Sequence, residues 1–307
     1  MLPVTLKQLR YFDALARICH FGRAAEVCAI SQPALSMQIK ELEESLGGLL
    51  LERSARQVAL TSFGAEFAAR VREILRSVDE LGDFARASRD KLTGRLRLGM
   101  IPTVAPYLLP KVIGNLTRKH PEIDIHVRES KTPKLIEELI EGRLDAAIVA
   151  LPVSEPSLTE VALFSEKFLL VRPAEYEGAP VPSSEMLREM RLLLLEEGHC
   201  FRDQALSFCK MQAPREMLDA SSLSTLVQMV GAGMGVTLIP EMAVGVETRS
   251  APVSLAHFTE PQPTRTIGMV WRKTSPLAKQ LLQISEVVAG AAEAMRKQTG
   301  QGRKRRG

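Results

Sequence analysis

Residues 31–42 have the sequence SQPALSMQIKEL, which predicts a helix with a serine N-cap and one apolar face. Ser31 can accept a hydrogen bond from the first turn, and Pro33 falls where a missing N–H costs nothing. The residues expected to face a core are Ala34, Leu35, Ile39 and Leu42. Two shorter predicted helices precede this one, around residues 6–16 and 24–27. Residues 1–60 therefore predict a helix-turn-helix module.

The polar face of this third helix is predicted to contact DNA. A glutamine can form two hydrogen bonds to adenine, and serine or lysine can reach bases or phosphates. The predicted contact residues on the helix are Gln32, Pro33, Ala34, Ser36, Gln38 and Lys40. The alternative is a face that meets only solvent, because residues 1–60 contain seven Lys and Arg against six Asp and Glu.

Residues 49–61, LLLERSARQVALT, predict a wing beside the recognition helix. A short apolar strand leads into a polar turn, a second strand returns, and Thr61 is expected to cap a new helix. Arg53 and Arg56 flank the turn, where they are predicted to hold phosphate or the minor groove.

Four segments resemble the DNA-binding domain of the LysR-type transcriptional regulators. They are Ala24-Ala25, SQPALS at 31–36, IKELE at 39–43 and LLER at 50–53. The sequence departs from the family pattern at Gly48 and in the leucine run 49–51, which should alter packing rather than function. The resemblance implies double-stranded promoter DNA and RNA polymerase as partners, and a homodimer or homotetramer as the assembly.

Residues 61–92 predict a long linker helix with an apolar stripe. The stripe consists of Phe63, Phe67, Ala68, Val71, Ile74, Leu75, Val78 and Leu81. A helix of this kind needs a partner, and two-fold pairing with a second copy satisfies that need, as the family resemblance also implies. The alternative is packing against the C-terminal part of the same chain.

From residue 93 onward, short β-rich runs alternate with helical segments, which predicts an α/β fold. Strands are expected at 95–101, 123–129, 144–151, 167–172, 192–195, 236–239 and 266–271. Such alternation favours a largely parallel sheet covered by helices. Residues 93–298 would resemble the periplasmic-binding-protein-like effector domain of the same family. Subdomain I would contain 93–165 and 266–298, and subdomain II 166–265.

Two threonines are predicted at the edge of the sheet where ligands bind. Thr103 follows the strand 95–101, and Thr132 follows the strand 123–129 with Pro133 directly after it. Ligands of such sheets lie beyond the carboxyl ends of the strands. The alternative for each threonine is ordinary helix capping, and both roles are compatible.

Cys200 and Cys209 form a candidate redox pair. His199 and Arg202 are cationic neighbours that would favour the reactive thiolate of Cys200, whereas Glu196, Glu197 and Asp203 oppose this effect. Oxidation of Cys200 to a sulfenic acid would allow condensation with Cys209 to a disulfide. The alternative is that both are small buried apolar residues. Since residues 201–209 are predicted to be helical, such a disulfide would require the helix to unwind.

The effector part is most similar to the peroxide-sensing members of the family. The matching segments are GMIPTVAPYLLP at 99–110, LLEEGHCFRDQA at 194–205, Phe208-Cys209 and RTIG at 265–268. The resemblance implies that Cys200 is the peroxidatic thiol and Cys209 the resolving one. It also implies a hydrogen peroxide pocket formed by Thr103, Thr132, His199 and Arg265. No cofactor is implied, and the reductant would be of the glutaredoxin or thioredoxin type.

Two other functions remain open at this point. One is a LysR-type regulator that binds a small metabolite in the same cleft, with structural cysteines. The other is a thiol peroxidase, against which the winged helix-turn-helix argues.

Length and composition favour a soluble intracellular protein, and the family resemblance implies the bacterial cytoplasm, with association to the nucleoid when bound to DNA. The chain has 307 residues and 45% apolar content, without a signal-like start or a run that could span a bilayer. Its four cysteines are too few for a secreted disulfide framework, and the five histidines show no metal-ligand spacing. The net charge of +4 equals the contribution of the last basic cluster, Arg303 to Arg306. Residues 299–307 are predicted to be a disordered tail, with DNA phosphate contact as the alternative.

Overall fold

The computed structural model describes residues 4–53, 58–87, 93–183, 186–209 and 219–303, without the side chains of residues 53, 188, 189 and 297–303. Contacts divide the chain into two compact units, residues 1–85 and 86–307. We describe each unit by itself.

The first unit is a winged helix-turn-helix, as its sequence predicts. Its elements are α1 (Leu6–Ile18), α2 (Phe21–Val27), α3 (Gln32–Leu46), β1 (Leu51–Arg53), β2 (Val58–Leu60) and α4 (Ser62–Ala87). Ser31 caps α3 by accepting a hydrogen bond from the Ala34 N–H at 3.3 Å. Gly47 ends the helix at φ 67°, a left-handed conformation that glycine adopts without strain. The strands β1 and β2 pair antiparallel and form the wing.

The wing is fixed to the helices by buried contacts. The buried carboxylate of Glu43 accepts hydrogen bonds from the N–H groups of Leu50 at 2.9 Å and Leu51 at 3.2 Å. Gly64 lets α4 approach closely, since a Cβ there would lie 2.0 Å from the Leu50 carbonyl oxygen. These contacts set the position of the wing strands relative to α3.

The apolar residues of α4 divide into a buried set and an exposed set. Ala68, Val71 and Leu75 are buried in the core of the first unit, while Leu81 and Phe84 are exposed. Ala68, Val71 and Leu75 therefore pack against α1 to α3 and are not available to another chain, and pairing through the rest of the stripe stays a prediction. Residues 88–92 of the predicted linker lie outside the described part.

The second unit contains the following elements, in chain order: β3 (Gly94–Met100), α5 (Ala105–Lys119), β4 (Ile123–Glu129), α6 (Thr132–Ile140), β5 (Ala146–Leu151), β6 (Leu158–Pro173), α7 (Met186–Glu189), β7 (Leu194–Leu195), α8 (Cys200–Phe208), β8 (Asp219–Ala220), α9 (Leu223–Gly231), β9 (Thr237–Pro240), α10 (Val244–Glu247), β10 (Val253–His257), β11 (Thr264–Arg272) and α11 (Ala278–Arg303).

Seven of these strands form one mixed sheet in the order β10-β6-β11-β5-β3-β4, with β9 also paired to β6. Strand β3 pairs parallel with β4 and β5, but β6 pairs antiparallel with β9, β10 and β11. The expected largely parallel sheet is therefore limited to β3, β4 and β5. The cause is that β6 carries the chain out of the first three strands and β11 brings it back beside β6. Glu166 and Arg265 are partners in this cross-strand register.

Two hydrophobic cores form around this sheet. The first core lies between β3, β4, β5, α5, α6 and α11, and includes Leu98, Leu108, Ile148, Met269 and Leu281. The second core lies around α8, α9 and the second half of β6, and includes Leu170, Leu194, Phe201, Val227 and Leu238. The two cores match the α/β architecture of two subdomains that the sequence predicts.

The C-terminal helix is longer than expected. Helix α11 continues to Arg303, so residues 299–303 are helical where the sequence predicts a disordered tail. Residues 304–307 lie outside the described residues. Within the described part of the chain, no helix is long and apolar enough to cross a membrane.

Candidate functional site

The outer face of α3 is the candidate DNA interface. Gln32, Pro33 and Lys40 are exposed, and Ser36 and Gln38 are half-buried. Ala34 is also half-buried, so it is a weaker core residue than the sequence indicates. Two of the polar side chains have intrahelical partners, the pairs being Gln38 with Glu41 at 2.7 Å and Lys40 with Glu44 at 3.6 Å. The side chain of Arg53 and all of Arg56 lie outside the described residues.

The two candidate redox cysteines lie at the two ends of α8. Gly198, at φ 88°, turns the chain after β7, His199 occupies the N-cap position and Cys200 is the first helical residue. Cys200 is half-buried and packs against the first core. Cys209 follows the last helical residue and is fully buried in the second core. Neither cysteine is in a disulfide, so the structure represents the reduced form.

The environment of Cys200 differs from the cationic one that its sequence neighbours predict. The Arg202 guanidinium donates to the Leu195 carbonyl and to Asp219, both at 2.8 Å, so a carboxylate balances its charge. Burial, with a smaller effect of Lys131, lowers the pKa of His199 and so favours the neutral imidazole.

Arg265 lies at the centre of a buried network. Its Nε donates to Glu166 Oε1 at 2.8 Å, Nη1 donates to Thr103 Oγ1 at 2.8 Å and Nη2 donates to the Thr103 carbonyl at 3.0 Å. Glu166 also accepts the N–H of Met242 at 3.1 Å. The guanidinium stacks 5.5 Å from the ring centre of Phe201, the residue after Cys200. The network therefore joins Thr103, the crossing strands and the start of α8.

Neither threonine caps its helix, so the predicted capping is wrong. Val104 occupies the N-cap position of α5 and Lys131 that of α6, and neither side chain makes a capping bond. Thr103 instead accepts from Arg265. Thr132 is the first residue of α6, and its Oγ1 is buried with no hydrogen-bond partner in the described part of the chain. An unpartnered buried hydroxyl is costly, which makes it a candidate ligand contact.

Gln204 is a candidate pocket residue that the sequence argument did not assign to the pocket. It lies one helical turn after Cys200, so both side chains project from the same face of α8. Its Oε1 is buried and has no hydrogen-bond partner among the residues that the structure describes. Four-residue spacing from a reactive cysteine is the sequence feature that could have found it.

A cavity of about 120 Å³ adjoins this site. Thr103, Tyr107, Glu129, His199 and Glu247 are among its lining residues. On its wall Tyr107 donates to Glu247 Oε1 at 2.6 Å, and this contact together with burial raises the pKa of the tyrosine. Two of the four predicted pocket residues, Thr103 and His199, thus border this cavity. Arg265 reaches it through its hydrogen bond to Thr103, and Thr132 is not among the lining residues.

Replacement of Arg265 by methionine is expected to destabilise the protein by about 3–5 kcal/mol. The Arg265 side chain has 0% and Glu166 3% exposure, so the substitution leaves a buried carboxylate without its counterion. The additional substitution Glu166→Gln should recover most of the loss, because it removes that charge. Urea unfolding of the single and double variants measures both effects. Equal destabilisation by the two would show that the ion pair is not the cause.

Comparison with known proteins places the chain in a family. A family model described as "LysR substrate binding domain" matches residues 89–292, and one described as "Bacterial regulatory helix-turn-helix protein, lysR family" matches residues 6–65. A protein of Streptomyces viridosporus named "Probable hydrogen peroxide-inducible genes activator" is 44% identical over 301 residues, which cover 95% of each chain.

Solved structures support the same family assignment. A cysteine-to-aspartate variant of full-length OxyR from Pseudomonas aeruginosa superposes with a TM-score of 0.72 at 36% identity, covering 93% of this chain and 94% of that one. An H2O2-bound cysteine-to-serine variant of OxyR from Corynebacterium glutamicum gives a TM-score of 0.67 at 33% identity, with 96% of both chains covered. The chain therefore belongs to the LysR family of bacterial helix-turn-helix regulators, and within that family to the OxyR group.

Proposed function

We propose that the chain is a hydrogen-peroxide-sensing regulator of transcription in which Cys200 is the peroxidatic thiol and Cys209 the resolving one. The observation that carries the proposal is the placement of half-buried Cys200 at the N-terminus of α8, one turn from the unpartnered Gln204 Oε1. The Cys200 thiolate attacks one oxygen of H2O2, the O–O bond breaks, and the leaving hydroxide takes up the proton that the thiol released and becomes water. The sulfenic acid then condenses with the Cys209 thiol and releases a second water.

The peroxide pocket is proposed to contain Thr103, Thr132, His199 and Arg265, with Gln204 as an additional member. Hydrogen peroxide has two O–H donors and four lone pairs, so it can satisfy both the Gln204 carbonyl and the Thr132 hydroxyl, which lack partners. Neutral His199 can accept a proton or donate one. Arg265 acts through Thr103, whose hydroxyl it orients.

The DNA-binding part is proposed to use α3 and the wing. Gln32, Pro33, Ala34, Ser36, Gln38 and Lys40 would face the major groove, and Arg53 and Arg56 the phosphates or the minor groove. The exposed residues Leu81 and Phe84 on α4 suit pairing between two copies in a homodimer or homotetramer. RNA polymerase and a glutaredoxin- or thioredoxin-type reductant complete the proposed set of partners, in the cytoplasm.

A second candidate function is supported by the cavity beside Thr103 and His199. Its volume of about 120 Å³ exceeds what one peroxide molecule fills, and its lining includes Ser221, Ser222 and Ser224. These hydroxyl groups would suit a small polar metabolite. In that case the cysteines would be structural.

Mass spectrometry after one equivalent of H2O2 tests the proposed function. We expect a disulfide between Cys200 and Cys209, while exposed Cys19 and half-buried Cys28 remain open to alkylation and serve as internal controls. Promoter binding should change in the same samples. A sustained turnover of peroxide with thioredoxin and no change in DNA binding would favour a thiol peroxidase. A lack of oxidation at Cys200 would favour a regulator that responds to a small metabolite.

A further inference from the structure

Lys131 joins helix α6 to the loop that precedes Cys200. Its Nζ donates to the carbonyl oxygen of Glu197 at 2.7 Å and lies 3.0 Å from Glu196 Oε1. The lysine belongs to the segment between β4 and α6 at the first core, whereas Glu196 and Glu197 follow β7 at the second core. One side chain therefore connects the two parts of the effector unit directly before the reactive thiol.

The aliphatic stem of Lys131 also packs on this loop. Gly198 has φ 88°, and a Cβ at that position would lie 3.0 Å from Lys131 Cδ. Glycine adopts this left-handed conformation without strain and leaves room for the lysine stem. Lys131 consequently contacts three consecutive residues, Glu196, Glu197 and Gly198, through both its charge and its stem.

These contacts fix position more than they stabilise the fold. The ion pair is partly open to solvent, with side-chain exposures of 35% for Lys131 and 46% for Glu196, and such pairs contribute little to stability. The bond to the Glu197 carbonyl is different, because a charged donor meets a backbone atom only three residues from Cys200. Its expected effect is on the geometry of the start of α8.

We propose that Lys131 is a positioning residue for the peroxide reaction, because it holds the loop 196–198, which leads directly into Cys200, at the start of α6. The inference rests on the proposed function of Cys200. Lys131 and Thr132 are consecutive, so the lysine that holds the loop and the hydroxyl assigned to the pocket move together. Loss of the lysine would let the thiol leave the position in which peroxide is bound.

The charged groups around His199 give an independent readout of this arrangement. Lys131 lowers and Glu196 raises the pKa of His199, after the larger effect of burial, and Glu129 lines the same cavity. Removal of Lys131 should therefore raise the pKa of His199, because the repulsion ends and Glu196 loses its partner. NMR titration of the His199 ring in the full chain measures this shift.

The test compares three variants of the full chain in the rate at which Cys200 is oxidised by H2O2. Lys131→Met keeps the stem and should react roughly tenfold more slowly, the low end of what the loss of one charged hydrogen bond is expected to cost. Lys131→Arg should recover most of the rate. The matched control is Lys134→Met, which removes an equal charge three residues later in the first turn of α6, where Lys134 forms an ion pair with Glu137 at 2.8 Å. Its rate should equal that of the unchanged protein.

Glu196→Gln separates positioning from a charge effect through space. This substitution removes the ion pair between Lys131 and Glu196, so a positioning role of Lys131 predicts slower oxidation of Cys200. A charge effect through space predicts faster oxidation, because a negative group near the thiolate is removed. This variant also carries the test if Lys131→Met does not fold. A rate for Lys131→Met equal to that of the unchanged protein, an equal slowing by Lys134→Met, or a faster Glu196→Gln would overturn the inference. An unreactive Cys200 in the unchanged protein would instead refute the proposed function.

Discussion

The substitution Cys200→Ser is expected to abolish the peroxide response while DNA binding persists. Serine is nearly isosteric with cysteine but does not form a sulfenic acid, so the first chemical step is lost. The predicted DNA contacts lie in the first unit, residues 1–85, and the thiol in the second. Promoter binding measured with and without H2O2 should show no peroxide-dependent change in this variant.

The companion variant Cys209→Ser provides the control. Cys200 should still be oxidised, so a dimedone adduct is expected at Cys200, but no disulfide can form within the chain. Its response should be weaker than that of the unchanged protein rather than absent. A Cys200→Ser variant that still switches promoters with peroxide would assign sensing to another group and would favour a metabolite in the cavity.

Oxidation is expected to unwind α8, with amide exchange in residues 202–209 accelerated by at least a hundredfold. Cys209 lies nine positions after Cys200, which in a helix corresponds to about 13 Å along the axis and roughly half a turn of rotation beyond two full turns. A disulfide tolerates a Cα separation of at most ~7 Å. The helix in the reduced structure confirms the prediction from sequence that these residues are helical.

Unwinding must also break aromatic packing in the second core. Phe201 packs edge-on against Phe168 at 4.9 Å, and Phe208 against Phe258 at 5.0 Å. Each pair joins one phenylalanine of α8 to one outside it, so separation of the two rings would change the surface of the effector unit. Helix α9 serves as the internal control, since its exchange should stay slow. Unchanged exchange in residues 202–209 of the disulfide form would exclude this mechanism.

Local patterns predict the elements whose residues carry strong local preferences. The N-cap Ser31 and the apolar spacing of α3 predict its start correctly, and β4 occupies the predicted residues 123–129. Strand β6 is predicted only at 167–172 but begins at Leu158. Its first half alternates between exposed and half-buried positions, a pattern that depends on pairing with β11 about a hundred residues later. Antiparallel pairing of this kind has no local sequence pattern.

The site residues also divide into those that the local sequence predicts and those that depend on contacts across the fold. The motif around Cys200 identifies the thiols and His199, because their chemistry depends on residue type. The roles of Arg265 and Lys131 depend on contacts across the fold: Arg265 meets Thr103 at a separation of 162 residues, and Lys131 meets Glu197 at 66. Arg202 is the opposite case, since its position next to the thiol suggested an electrostatic role that its ion pair with Asp219 removes.

The cross-strand pair Glu166 and Arg265 has a consequence for how this effector unit can be rebuilt. The chain passes into the part that contains the second core just after Glu166 and returns from it just before Arg265. Residues 167–264 therefore form a continuous insertion with closely spaced ends. Such a segment is a natural unit of exchange between regulators, in evolution or in the design of peroxide reporters. The buried ion pair at its base must be transferred with it, because each half is compatible only with its counterion.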